Sequence, residues 1–181
     1  MDHNQTTEQR FSALYQQYYR DVYQFLFCFT GHKSDAEDLT QEVFLTVVKV
    51  LDTFEGRSHL KTWILGIAKN KARYWYRKKR LTTFFSDTLL QSLRTKEGLP
   101  EAELDSKEGV RELISALQGL KTQYRMVFIL RCLKECSIKE TSEILGCSEA
   151  KVKVDYHRAC KMLQERLHPS RIGEWANGLA K

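Results

Sequence analysis

Between residues 57 and 80, nine Lys and Arg occur without a single Asp or Glu. Lys61, Lys69, Lys71, Arg73, Arg77, Lys78, Lys79 and Arg80 interleave there with Trp63, Tyr74, Trp75 and Tyr76. Cations at that density can follow a phosphate backbone while aromatic faces beside them stack on bases, the chemistry of single-stranded nucleic-acid binding. Solvated helix faces normally mix both signs, and this stretch does not. Trp63 shares its helical face with Ile64 and Ile67, which places it in a core rather than on a base. Composition alone leaves a duplex site, a melted strand and the two together open.

A second constellation lies near the C-terminus. Ser137 and Glu140 have capping-box spacing, Gly146 can take a left-handed turn, and Ser148 can cap the helix that follows. A short capped helix, a glycine turn and a longer helix are the parts of a helix-turn-helix, whose second helix enters the major groove N-terminus first. Ser148, Glu149, Lys151, Lys153, His157 and Arg158 face outward in that register, while Val152, Tyr156 and Ala159 face a core. Lys151, Lys153, Arg158 and Lys161 can meet phosphates, and the helix N-terminus adds its own N–H donors.

Catalytic chemistry finds little support. The five cysteines, Cys28, Cys132, Cys136, Cys147 and Cys160, are odd in number and include no CxxC pair, so reduced thiols acting as small apolar residues are expected. No paired carboxylates, phosphate-cradling glycine loop or zinc-ligand spacing occurs; no metal, cofactor or small-molecule substrate is expected, and the chain does not read as an enzyme. No apolar run approaches the roughly 20 residues that span a bilayer. Met1 to Arg10 lacks the layout of a signal peptide, which predicts a cytoplasmic location.

The elements that must position these groups are helices. Two prolines and nine glycines in 181 residues leave few interruptions. Phe11, Leu14, Tyr15, Tyr18, Val22, Phe25, Leu26 and Phe29 step by three and four, an amphipathic helix that Gly31 ends. Ser34 with Glu37 predicts a capping box opening a second helix to about Leu51, with Leu39, Val43, Phe44 and Val47 inward. A loop through Gly56 leads to a third helix near Leu60 that carries the basic block. From 81 to 108 periodicity fades around Gly98 and Pro100, which predicts a linker with a short helix near 89–93. Further helices are expected over Val110–Leu120 and Gln123–Leu133, ahead of the helix-turn-helix that Pro169 closes.

The net charge of +6 divides along these boundaries. Residues 1–56 carry −5, 57–80 carry +9, 81–108 carry −3 and 109–181 carry +5. The expected architecture is all-α: two small helical domains, 1–80 and 109–168, joined by a flexible linker over 81–108 and followed by a tail at 169–181. The second domain holds the helix-turn-helix.

These residues carry a family resemblance. Asp35-Ala36-Glu37-Asp38-Leu39-Thr40-Gln41-Glu42-Val43-Phe44 resembles the region 2 helix signature of extracytoplasmic-function sigma factors of the sigma-70 family. Phe54-Glu55-Gly56-Arg57-Ser58, then Lys61-Thr62-Trp63-Ile64-Leu65 and Ala68-Lys69-Asn70, resemble the loop and helix that follow it there. Ser137-Ile138-Lys139-Glu140 through Gly146, then Ser148 to Lys153 and His157-Arg158-Ala159, resemble region 4. The two stretches cover nearly all of 11–167 in the family's order. Tyr74 departs from the pattern where Asp is usual, and Thr141 where a large aliphatic is common.

The resemblance implies a dissociable promoter-specificity subunit of bacterial RNA polymerase. By it, Asp38, Gln41 and Glu42 would dock on the β′ clamp of the core enzyme, with the β subunit also a partner. Phe54, Arg57, Ser58, Lys61, Lys69, Asn70, Arg73 and Arg77 would read and hold the melted minus-10 strand. Ser148, Glu149, Lys151, Lys153, His157 and Arg158 would read the minus-35 duplex. An anti-sigma factor, often membrane-bound in this family, and envelope or stress response target genes are also implied. The competing reading is an autonomous helix-turn-helix repressor or activator with 1–80 as a sensing or dimerisation domain, against which the acid-free basic stripe argues.

Overall fold

The structure, a computed structural model, describes residues 2–89 and 108–167. The acidic stretch 90–107 and the tail from His168, with Pro169 and Trp175, lie outside the described residues, as does most of the short helix expected at 89–93.

Seven α-helices are present among the described residues: α1 (Asp2–Thr30), α2 (Lys33–Val50), α3 (Leu60–Leu89), α4 (Glu108–Gln118), α5 (Thr122–Phe128), α6 (Ile138–Leu145) and α7 (Glu149–Gln164). Leu51–Thr53 forms a 3₁₀ turn and Ile129–Leu133 a π turn. No strand occurs among them. The first three helices make one unit. Val22, Phe25, Leu26 and Phe29 of α1 are buried with Leu39, Val43, Phe44 and Val47 of α2 and Ile64, Leu65, Ala68 and Ala72 of α3. Each set follows a helical period, so each helix buries one stripe. The Phe44 ring packs 4.8 Å from Tyr15 and 6.4 Å from Phe11, pinning α2 to the aromatic ladder of α1.

Gly31 turns α1 into α2 at φ +77°, where a side chain would be strained, and its N–H donates to Phe27 O at 2.8 Å. The expected capping box at Ser34 is not formed. α2 begins two residues earlier than a Ser34 cap implies, at Lys33, with His32 as its N-cap and no side-chain cap bond. The hydroxyl of Thr30 accepts from His32 N–H at 3.3 Å, so the turn is tied from the α1 side and Ser34 falls inside the first turn. α3 also runs further than the fading periodicity suggests. It continues to Leu89, nine residues into the segment read as linker.

The second unit meets the helix-turn-helix expectation closely. Ser137 N–H donates to Glu140 Oε2 at 2.7 Å and Glu140 N–H donates to Ser137 Oγ at 3.1 Å, a reciprocal capping box. Gly146 takes φ 67° and ψ 44°, and Ser148 Oγ accepts from Lys151 N–H at 3.3 Å to start α7. Val152, Ala159 and Leu163 are buried and Tyr156 half-buried. α7 ends at Gln164, well before Pro169.

The two units share one continuous core, which the sequence pattern does not announce. Leu113, Leu117, Met126, Phe128, Ile129 and Leu130 join Phe25 and Phe29 in a single apolar cluster. Polar side chains stitch the seam. Gln118 Nε2 donates to Phe29 O at 3.1 Å, and buried Arg125 donates from Nη1 to the same carbonyl at 2.7 Å. These are carbonyls at the open end of α1, where no backbone N–H of the helix can reach them.

Candidate nucleic-acid interface

α3 presents two different faces. Lys71, Trp75 and Lys79 turn toward α2, where Lys71 Nζ lies 3.1 Å from Glu42, and Trp75 Nε1 and Lys79 Nζ each lie 3.4 Å from Asp35. Lys79 also sits 4.7 Å over the Trp75 ring. Tyr76 meets Phe29 edge-on at 6.3 Å. Trp75 and Tyr76 therefore pack between helices, Tyr74 is the most exposed aromatic residue of the basic block at 62%, and Trp63 is partly exposed in the lining of the depression described next. The stacking expectation is corrected to that extent: spacing of one residue cannot tell a ring that serves a helix–helix contact from one that faces a ligand.

The other face carries Lys69, Asn70, Arg73 and Arg77. The first two join Arg57, Ser58, Thr62, Trp63, Gly66 and Ile67 around a depression of about 440 Å³. The loop reaches it through Gly56, whose φ of +69° lets the chain reverse ahead of α3. Trp63 stands 5.1 Å from the Phe54 ring, which fixes the loop against the helix. The lining thus combines aromatic and aliphatic side chains with hydroxyl, amide and cationic groups and the one carboxylate of Glu143. Burial, and then neighbouring Arg73, hold the Lys69 ammonium below its ordinary pKa. A partly buried cation beside a second one favours an incoming anion.

Glu143 and Ile144 of α6 complete the wall of that depression. Arg73 lies across a smaller gap from Gln123, Cys147 and Lys151, and Arg77 lines a groove shared with Gln118 and Arg125. The cationic face of α3 therefore looks onto the helix-turn-helix unit. Lys61 departs from its expected place in this group: its ammonium lies 3.1 Å from Asp21, which Lys134 also contacts at 2.8 Å. Arg57 pairs with Glu55 at the exposed loop tip.

On α7 all six expected residues, Ser148, Glu149, Lys151, Lys153, His157 and Arg158, are exposed. They are not equivalent. Lys151 Nζ sits 3.1 Å from Asp155, a buried carboxylate to which Gln123 also donates, and Arg158 lies 3.5 Å from the Tyr124 hydroxyl. Lys153 and His157 point away from the core without such anchors.

Asp38, Gln41 and Glu42 are exposed on α2, opposite its buried stripe. Leu45 and Val48 continue the same surface, 63% and 39% exposed. The sequence reading missed them, although they stand four and seven residues beyond Gln41 and off the inward register. An apolar pair ringed by polar side chains is the anatomy of a protein-docking patch.

The thiols are free among the described residues, and burial raises Cys28 to about 12 and Cys136 to about 11. Such thiols stay protonated and act as packing groups. No group of three or more His, Cys, Asp or Glu among the described residues could hold a metal ion. None of the described helices is long and apolar enough to cross a membrane.

Comparison with known proteins accounts for both halves. Residues 14–82 match the family model for sigma-70 region 2, and residues 110–163 match that for sigma-70 region 4. The ECF RNA polymerase sigma factor SigX of Bacillus subtilis is 42% identical over 166 residues, covering 88% of this chain and 84% of the relative. The RNA polymerase sigma factor YlaC of the same organism is 35% identical over 162 residues, covering 89% and 94%. In fold, the chain is similar to the sigma factor RpoE solved with the anti-sigma factor NepR from Bartonella quintana. The TM-score is 0.71 at 24% identity, over 88% of this chain and 98% of that one. CnrH, solved with the cytosolic domain of CnrY, gives a TM-score of 0.64 at 22% identity, over 87% of each chain.

Proposed function

The chain belongs to the sigma-70 family, among the ECF RNA polymerase sigma factors, and from that premise we propose how its surfaces divide the work of starting transcription. The outer stripe of α2 docks on the β′ clamp of core polymerase, with Leu45 and Val48 as the apolar centre and Asp38, Gln41 and Glu42 as the polar surround. α7 enters the major groove of the minus-35 duplex. The loop and α3 hold the opened minus-10 strand, Arg73 and Arg77 on its phosphates and one unstacked base in the depression over Trp63 and Ile67. Holding a flipped base favours the melted state over the duplex, so opening follows from binding and no covalent chemistry is needed. The protein works in the cytoplasm on envelope or stress response promoters, under the control of an anti-sigma factor.

The observation that carries this reading is the depression itself, in which Trp63 and Ile67 are lined up with Ser58, Lys69 and Asn70 beside the exposed Arg73. The test uses the full chain with core polymerase on a promoter selected by that holoenzyme. Asn70→Ala with Lys69→Ala should reduce permanganate reactivity of melted thymines by about tenfold or more, since a hydrogen bond involving a charged group is worth roughly 1.5–3 kcal/mol. Protection of the minus-35 duplex should persist. Unchanged opening by the double variant would rule out this pocket as the strand-holding site.

A further inference from the structure

Val152, Asp155, Ala159 and Leu163 define the core side of α7, all buried. The opposite side presents Ala150, Val154, His157 and Lys161, with Lys153 and Arg158 flanking. Val154 is the anomaly in that row. It is 48% exposed and stands outside the hydrophobic core, at a helix position where a branched side chain loses rotamer freedom without gaining packing. Isolated apolar residues are common on surfaces. This one sits six residues after the Ser148 cap, in the part of the helix that faces base edges when such a unit docks, and Ala150 precedes it by one turn on the same line.

A valine cannot read a hydrogen-bond donor or acceptor. The major groove offers one apolar group, the C5 methyl of thymine, and small aliphatic side chains are its usual partners. Resting on the reading of α7 as the minus-35 helix, we propose that Val154 is a specificity-determining residue that recognises a thymine by its methyl group, with Lys153 and Arg158 holding the duplex on either side. Lys151 does not share this task, since its ammonium is turned back to Asp155.

Replacing thymine by deoxyuridine deletes the methyl and nothing else. Holoenzyme made with the full chain is used to select duplexes from a library randomised over the minus-35 region, and each thymine of the selected sequence is replaced by deoxyuridine in turn. One such replacement should weaken binding about fourfold, as expected for uncovering one methyl group. Val154→Ala should weaken binding to the selected duplex by a similar factor and make that replacement silent. Alanine is the better helix former, so misfolding would not explain the loss. Insensitivity to every replacement, or equal sensitivity in the Val154→Ala protein, overturns the proposal. Lys153→Ala and Arg158→Ala serve as the separate control: both should weaken binding with or without the methyl. If neither does, the assignment of α7 to the minus-35 element fails, and the methyl contact with it.

Discussion

Thr141 has no exposed surface at the centre of the helix-turn-helix, and its hydroxyl oxygen has no hydrogen-bond partner among the described residues. The family pattern favours a large aliphatic there, and the structure shows the physical consequence of the departure: a polar atom removed from water without compensation. Thr141→Val keeps the branched shape and removes that atom, so it should stabilise the protein by about 1 kcal/mol, read as a higher urea midpoint with unchanged slope. A lower midpoint would mean that the hydroxyl is satisfied in solution. At this scale the sequence was legible in residue type but less so in partnership. Lys151 and Lys153 look alike on a helical projection, and only the burial of Asp155 at i+4 from Lys151 separates an anchored ammonium from a free one.

On the proposed division of work α3 carries the heaviest functional load of any element, and Gly66 is its weakest point as a helix. A Cβ built there would meet nothing within 4 Å, because the position borders the depression rather than a packed neighbour. Gly66→Ala should therefore stabilise α3 by about 0.5–1 kcal/mol, while Gly66→Phe should keep the helix and occupy the space in which a base is proposed to sit. Thermal unfolding reports the first effect, and permanganate reactivity of the holoenzyme complex reports the second, with opening reduced about tenfold for one lost base. A phenylalanine variant that opens promoters normally would empty the depression of its assigned role. Helix content, the glycine turns and the capping box at Ser137 followed directly from period and cap chemistry. The start of α2 did not, since Thr30 and Gly31 order that turn from the preceding helix. Nor did the π turn after α5, where Lys134 N–H donates to Ile129 O at 2.9 Å, an i to i+5 closure that leaves no mark in a hydrophobic pattern.

Across the whole molecule, the seam between the two units decides which surfaces are free. The depression on α3 is walled by Glu143 and Ile144, so on the proposed reading a melted strand fills it only when the helix-turn-helix moves away. Partition of charge along the chain anticipated two basic surfaces but not that one would look onto the unit carrying the other. Long-range packing of this kind arises from side chains some hundred residues apart. Asp21 is the titratable element of the seam: Lys134, its side chain only 4% exposed, reaches it at 2.8 Å and Lys61 at 3.1 Å. Burial alone would raise the Asp21 pKa, but the hydrogen bond and charge of Lys134, joined by Lys61, outweigh it and hold the carboxyl below the ordinary value. A carboxyl whose pKa is depressed in the packed state stabilises that state fully above its ordinary value of about 4, and the contribution is lost as pH falls through the lowered one. Acid should therefore loosen the seam. Asp21→Asn should do the same at neutral pH, since it removes the negative charge opposite a buried ammonium and leaves Lys134 with neutral amide acceptors only. Small-angle scattering of the isolated protein should show a larger radius of gyration for the variant at neutral pH. The same separation should raise its affinity for a single-stranded minus-10 oligonucleotide above that of the unaltered chain. Equal radii and equal oligonucleotide binding in the two proteins would show that this ionic contact does not hold the units together.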